Sequence, residues 1–312
     1  MSRFSVIIPL YNKEKDIFFT LSSVFNQTFK DYEIIIVNDG STDSSVEIVK
    51  NLKSDKIHLF SKNNEGVSKA RNYGVEKANS NYIAFLDADD YWYPNHLENI
   101  NVLIETFPKH AWFASSYEKK HSHKLISPMY SPILEKEENW FGEVSDFFKY
   151  SFIDCLAWTS SICMQKEFYT ALNGFDEGIT HGEDTDLWIR AALKEKLVFS
   201  NKITAQHNLI SSNRSSIVDM KNRNNLFFEK FEVEEEKNST LKKYLDLNRY
   251  SLAIKHKLND DQDTFKELSK NIDLSNLNKK QLFLLKQPRV ILKLLLITKS
   301  VIENLGMRLS SF

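Results

Sequence analysis

Glycine is scarce in this chain, with eight in 312 residues against a usual share of about 7%. Each one is therefore expected where the backbone needs a positive φ or the close approach of a neighbour. Cysteine is rarer still. Cys155 and Cys163 lie in one apolar stretch, which excludes a disulfide framework and points to two buried thiols in a reducing compartment. Neither sign of charge is in excess: 41 Lys and Arg face 42 Asp and Glu, a net charge of -1. A general nucleic-acid binder carries a basic surplus, so no nucleic-acid partner is expected. Hydrophobic residues make up 42%, which excludes a disordered chain. Long hydrophobic runs are missing too. Met1–Leu10 holds one basic residue and a short apolar run ending at Pro9, unlike a secretory signal and too short for a membrane span. Val290–Ile297 is interrupted by Lys293 and bounded by Arg289 and Lys299. A cytoplasmic protein is expected.

Several catalytic signatures are absent. No G-x-G-x-x-G follows the first apolar run, which argues against a dinucleotide oxidoreductase. There is no P-loop and no G-x-S-x-G elbow, and the cysteines lack metal-site spacing.

What is present is an alternation. Phe4–Leu10, Glu33–Val37, Ile57–Phe60 and Tyr82–Leu86 are short β-branched or aromatic runs. Lys13–Asn26, Ser44–Leu52 and Glu65–Ala78 lie between them with helical spacing. Near-continuous apolar strands alternating with helices predict an α/β fold, a mostly parallel sheet with helices on both faces. Further helices are expected at Pro94–Thr106 and Asp184–Leu193, and strands at Ala111–Tyr117 and Trp158–Met164. Lys119–Lys136 reads as a polar loop, with His121 and His123 solvated. After about Ser216 the composition turns to Asn, Lys, Glu and Leu. The length allows about two domains at ~100–200 residues each; we read residues 1–216 as one and a helical region, 217–312, as the other.

In such sheets ligands bind beyond the carboxyl ends of the strands. Three segments stand there: Leu10-Tyr11-Asn12, Asn38-Asp39-Gly40-Ser41 and Asp87-Ala88-Asp89-Asp90. Carboxylates two residues apart, as in Asp87 and Asp89, can present oxygens to one hard cation such as Mg²⁺ or Mn²⁺, usually shared with substrate phosphates. A solvated acidic turn is the alternative. Asp39 can accept from a base N–H, or cap Ser41–Asp43 in an Asx-turn. Tyr11 can stack on a base or sit as an amphipathic aromatic at the sheet rim. Arg71 lies one turn into a helix whose free N–H groups attract phosphate; a surface ion pair is its other reading. Glu183-Asp184 opens a helix after Gly182, where a carboxylate can deprotonate a hydroxyl or complement the helix dipole. A lone His such as His207 is more often structural than a ligand.

Taken together, these segments resemble glycosyltransferase family 2, the inverting enzymes of GT-A fold. The matching stretches are Val6–Asn12 (VIIPLYN), Glu33–Ser45 (EIIIVNDGSTDSS), Asn64–Gly74 (NEGVSKARNYG), Tyr82–Asp90 (YIAFLDADD), Asn173–Glu177 (NGFDE) and Glu183–Arg190 (EDTDLWIR), in the family's order over about Phe4–Arg190. The resemblance implies that residues 1–216 form a GT-A nucleotide-sugar-binding catalytic domain. It implies a nucleotide-diphosphate-sugar donor, UDP-linked by preference, and a divalent metal, Mn²⁺ or Mg²⁺. Pro9, Tyr11, Asp39, Arg71, Asp87 and Ala88 would bind the donor. Asp89 would be the main metal ligand, with Asp87 and with His207 where some relatives carry a metal-assisting His. Asp184 would be the base and Glu183 would orient it or the acceptor, with His181 and Trp188 as acceptor-side walls. The acceptor would be a glycan or a lipid-linked molecule in polysaccharide biosynthesis. The resemblance fades after about Ser215. Arg289–Leu309 has apolar residues at helical spacing; packing against the catalytic domain or a partner copy is the favoured reading, and contact with the inner face of the cell membrane the other. Two rival functions are a sugar-nucleotide pyrophosphorylase, which usually needs a Gly-rich basic loop where Leu10–Glu14 stands here, and a non-catalytic nucleotide-sugar-binding subunit.

Overall fold

The computed structural model describes residues 2–121, 124–130, 137–211 and 227–304. The chain divides into two compact units, Met1–Ile217 and Val218–Phe312.

The first unit runs β1 (Phe4–Leu10), α1 (Ile17–Phe25), β2 (Tyr32–Asp39), α2 (Ser45–Asn51), β3 (Ile57–Lys62), α3 (Val67–Lys77), β4 (Tyr82–Phe85), β5 (Tyr91–Trp92), α4 (His96–Thr106), β6 (Trp112–His121), β7 (Lys124–Ile126), β8 (Phe141–Glu143), α5 (Phe147–Tyr150), β9 (Ile162–Gln165), α6 (Lys166–Ala171), α7 (Glu183–Lys194) and β10 (Val198–Asn208). The strands form one sheet in the order β3-β2-β1-β4-β9-β6-β10-β5, with β7 against β6 and β8 against β10. Four neighbours, β3-β2-β1-β4, are parallel, as the strand–helix alternation requires.

The alternating pleat separates two helix layers. Phe4, Val6, Ile8 and Leu10 join a core with Ile17, Leu21 and Val24 of α1 and Leu97, Ile100 and Leu103 of α4. The other face of β1 meets α3: a Cβ added at Gly74 would lie 2.6 Å from Ile7 Cγ2. Both faces are covered, so β1 and β2 are buried along almost their whole length, with central apolar runs Val6–Ile8 and Ile34–Val37.

The second half of the sheet departs from the sequence reading. β9 inserts antiparallel between β4 and β6, so this half of the mostly parallel sheet carries antiparallel members, while β6 and β10 are again parallel. An apolar run announces a buried strand but does not name its neighbours. Lys119–Lys136 was expected to be a loop. Instead β6 continues to His121 and pairs antiparallel with β7, Lys119 opposite Ile126, while its other side stays paired with β10 as far as Lys120; backbone pairing on both sides holds these polar residues as strand. His121 is exposed at its tip; His123 lies outside the described residues. Trp158–Met164 begins as a 3-10 turn, Thr159–Ser161, before β9.

The second unit holds α8 (Glu232–Lys237), α9 (Ser239–Leu258), α10 (Gln262–Lys270), α11 (Lys279–Lys286) and α12 (Arg289–Asn304). Tyr250 and Ile254 of α9 pack with Ile272, Leu277, Leu284 and Leu292. Arg249, nearly buried, bonds Glu235 at 2.7 and 3.0 Å and Asp246 at 3.1 Å. Val290, Leu294 and Ile297 of α12 are exposed, at 69%, 58% and 62%. Among the described residues, no helix is long and apolar enough to cross a membrane.

Candidate active site

β2 ends at Asp39, which is buried. Its Oδ1 accepts from Glu65 N at 3.0 Å and its Oδ2 from Gly66 N at 2.8 Å, so the carboxylate grips the loop that opens α3. Gly40 makes this possible. Its φ is +78°, and a Cβ there would lie 2.9 Å from Asn64 N. The Asx-turn is made by the preceding residue: Asn38 Oδ1 accepts from Ser41 N at 2.9 Å. Each Asp39 oxygen keeps a second lone pair for a ligand. Tyr11, just past β1, is 42% exposed, free to present its ring. Pro9 lies within β1 opposite Val37.

Beyond β4, Asp87, Ala88, Asp89 and Asp90 make a tight turn, with Asp90 N bonded to Asp87 O at 3.0 Å. Ala88 is buried, and its carbonyl accepts from Thr20 Oγ1 at 3.0 Å. Asp90 is the turn's internal anchor. It accepts from Ser160 Oγ at 2.7 Å and from Asn208 N at 3.0 Å, tying β4, the 3-10 turn and β10 together. Burial, then Asp89 and Asp87, push its pKa well above the usual carboxylate range. Asp89 is also raised, by burial first, although Lys13 opposes the shift. Lys13 Nζ lies 2.6 Å from Asp89 Oδ2.

Arg71 is the hub. Expected beside the donor base, its buried guanidinium instead bonds Asp87 Oδ1 at 2.7 Å and Glu183 Oε1 at 3.0 Å. Its carbon lies 4.9 Å from the Phe175 ring centroid. Burial opposes its charge, but Asp87 and Glu183 outweigh burial and hold its pKa above the ordinary value. Glu183 is raised by burial and by Asp184, with Arg71 acting against both. Through Arg71 the β4 turn and the start of α7 share one charge network, although 96 residues separate Asp87 from Glu183.

α7 is aimed from both ends of its first turn. Gly182 caps it in the left-handed conformation at φ 86°. Buried Asp186 holds Arg190 at 2.6 Å, and Arg190 bonds the carbonyl of Gly174 at 2.8 Å and that of Leu172. The Asn173–Glu177 segment in turn holds α3, with Phe175 N bonded to Asn72 Oδ1 at 3.0 Å. Asp184 Oδ1 accepts from Thr185 N at 2.6 Å, leaving Oδ2 for other work.

Three further expected residues have the following surroundings. Trp188 is 1% exposed and packs against Phe175 at 6.2 Å. It lies on the buried, core side of α7. His207 stacks on Trp158 at 4.6 Å, and among the described residues no three His, Cys, Asp or Glu gather as a metal group. His181 is half-buried just before Gly182. The sequence reading missed Lys13 and Ser160. Both face the Asp turn from 70 or more residues away, and nothing local marks them. A cavity of about 770 Å³ opens beside Asp89 and Asp90, lined also by Phe19, Tyr91, Tyr93 and Gln206.

Known proteins share this fold. S. aureus TarS, residues 1–349 in complex with UDP-GlcNAc, superposes with a TM-score of 0.61 at 18% identity, over 86% of this chain and 90% of that one. Full TarS gives 0.64 at 20% identity, over 88% of this chain and 50% of that one. At these identities the likeness shows the GT-A type fold. An uncharacterized glycosyltransferase of Rickettsia bellii is 33% identical over 202 residues, 63% of this chain and 27% of that protein. YibD of Escherichia coli, also an uncharacterized glycosyltransferase, is 48% identical over 101 residues, 32% of this chain and 29% of that one. The chain spans between 27% and 61% of the five Rickettsia relatives it matches. The sequence profile of glycosyl transferase family 2 matches residues 5–164, the stretch that carries β1 to β4, the Asp turn and Arg71, and the chain belongs to that family.

Proposed function

We propose that the chain is an inverting glycosyltransferase that moves a sugar from a nucleotide-diphosphate sugar to a hydroxyl of a glycan or lipid-linked acceptor. The observation that carries this is the Arg71 bridge, which links Asp87 to Glu183 and so brings the base candidate Asp184 to the same end of the sheet as the Asp turn. UDP is the favoured nucleotide, since the TarS neighbour is solved with UDP-GlcNAc. Asp39 and Tyr11 are the base-binding candidates, with Pro9 and Ala88 as backbone around the donor. Arg71 serves the donor indirectly, by fixing Asp87.

The donor set suits a hard divalent cation, Mn²⁺ or Mg²⁺. Asp89 is a half-buried carboxylate, and Asp87 is close enough to raise its pKa further. Lys13 already places a cation on it. Two carboxylates leave the remaining positions to phosphate oxygens and water, the usual arrangement for Mg²⁺. When bound there, the ion would neutralise charge on the departing diphosphate.

Asp184 takes the acceptor's proton as the hydroxyl attacks the anomeric carbon from the face opposite the diphosphate. One displacement inverts the configuration, and an α-linked donor yields a β-linked product. A single base suits this better than the paired carboxylates of retaining hydrolysis. Glu183, held by Arg71, orients Asp184, and His181 stands on the acceptor side. The exposed apolar residues of α12, beside Lys286, Arg289 and Lys293, support a surface contact by that helix, with a membrane face or a second copy.

Asp184→Asn should lower transfer by about 10²–10⁴-fold with donor binding nearly intact. Asp89→Asn should lose both transfer and donor binding. Transfer to acceptor and calorimetric titration with UDP-sugars read the two effects. Normal turnover by Asp184→Asn would remove the base assignment.

A further inference from the structure

We propose that Lys13 guards Asp89 against a divalent cation arriving alone, so that cation and donor diphosphate enter the site together. This rests on reading Asp89 as the metal ligand. Lys13 Nζ meets Asp89 Oδ2 at 2.6 Å, with side chains only 11% and 14% exposed. A nearly dry contact of that length is a charge-assisted hydrogen bond, about twice as strong as a neutral one.

The lysine is delivered there rather than drifting on the surface. Its backbone N–H donates to Ser45 Oγ at 2.8 Å, and the neighbouring Asn12 N donates to Ser41 Oγ at 3.1 Å. The loop after β1 is therefore pinned to the segment after β2. The ammonium also bonds Ser211 Oγ at 3.2 Å, and that hydroxyl donates to Asp16 Oδ2 at 2.8 Å.

A divalent ion on Asp89 competes with the Lys13 ammonium for the same carboxylate. Entering alone, it breaks the pair, and taking one partner from a buried ion pair is costly. A diphosphate entering with it brings anionic oxygens for the displaced ammonium. Lysine suits the exchange, being a compact charge on a flexible four-carbon stem. Lys13 thereby couples metal affinity to nucleotide binding.

The test is Mn²⁺ binding to the full chain, followed by the paramagnetic resonance signal of free Mn²⁺, with and without UDP. Wild type should bind Mn²⁺ at least tenfold more tightly with UDP present. Lys13→Met and Lys13→Gln should bind Mn²⁺ alone at least tenfold more tightly than wild type, and UDP should help them less. Lys13→Arg, which keeps a cation, should stay near wild type. Tryptophan fluorescence during unfolding checks that each variant folds. Equal Mn²⁺ affinity in wild type and both neutral variants, with UDP helping all alike, would overturn the proposal and leave the metal reading standing. No Mn²⁺ binding by any variant, with or without UDP, would overturn both.

Discussion

At the scale of single residues, burial decides which polar groups are machinery and which are framework. His96 is framework. It is fully buried, stacks on Trp92 at 4.2 Å, and shares a proton with Thr204 Oγ1 at 2.8 Å. Burial pushes its pKa down to about 3. The unfolded chain takes up a proton on this ring near pH 6.5 and the folded chain does not, so protons favour unfolding. The stability this residue contributes is complete above pH 6.5 and is lost as the pH falls from there towards about 3. At about 1.4 kcal/mol per pH unit, wild type should lose about 2 kcal/mol between pH 7 and pH 5 that His96→Gln keeps. Urea unfolding at the two pH values measures the difference, and equal losses in both proteins would mean the ring is charged when folded. Arg71 stands between framework and machinery. It touches neither donor nor acceptor in our reading, yet two of the carboxylates assigned to chemistry are placed by it.

Elements were readable where one rule governed a whole stretch. β1 to β4 follow from period and β-branching, and the helices between them from apolar spacing. Helix position is less visible in the sequence, because it depends on close approach. α3 packs so near β1 that Gly74 admits no side chain: a Cβ would lie 2.6 Å from Ile7 Cγ2 and 3.3 Å from Val37 Cγ2. Gly74→Ala should therefore destabilise by about 1–3 kcal/mol through overpacking, despite alanine's better helix propensity. Because α3 carries Arg71, the substitution should also weaken donor binding. A variant as stable as wild type would mean the α3–β1 gap is wider than these contacts. The end of β6 shows the converse: Glu118–His121 are polar, and pairing with β10 and β7 makes them strand.

At the scale of the molecule, the two units carry separate probes. All five tryptophans lie before residue 189, within the first unit, while the second is helical throughout its described residues apart from turns. Arg249→Met would leave Glu235 and Asp246 with Lys242 as their remaining cation, a loss of about 1.5–3 kcal/mol for the charged hydrogen bonds removed. It should lower the circular-dichroism midpoint more than the tryptophan-fluorescence midpoint. Equal shifts of both would show that the units melt together.

The residues of the candidate site were largely legible in the chain. Asp39, Asp87, Asp89 and Asp184 stand at strand or helix ends, where backbone groups are unspent and carboxylates are useful. Local chemistry and periodicity suffice for that, since both act within a few residues. Only the tertiary structure decided their partners. It brought Lys13 to Asp89, spent Arg71 on Asp87 and Glu183, turned Trp188 into the core and stacked His207 on Trp158. Those pairings span tens to more than a hundred residues, and no local rule selects among partners that only packing brings within bonding distance.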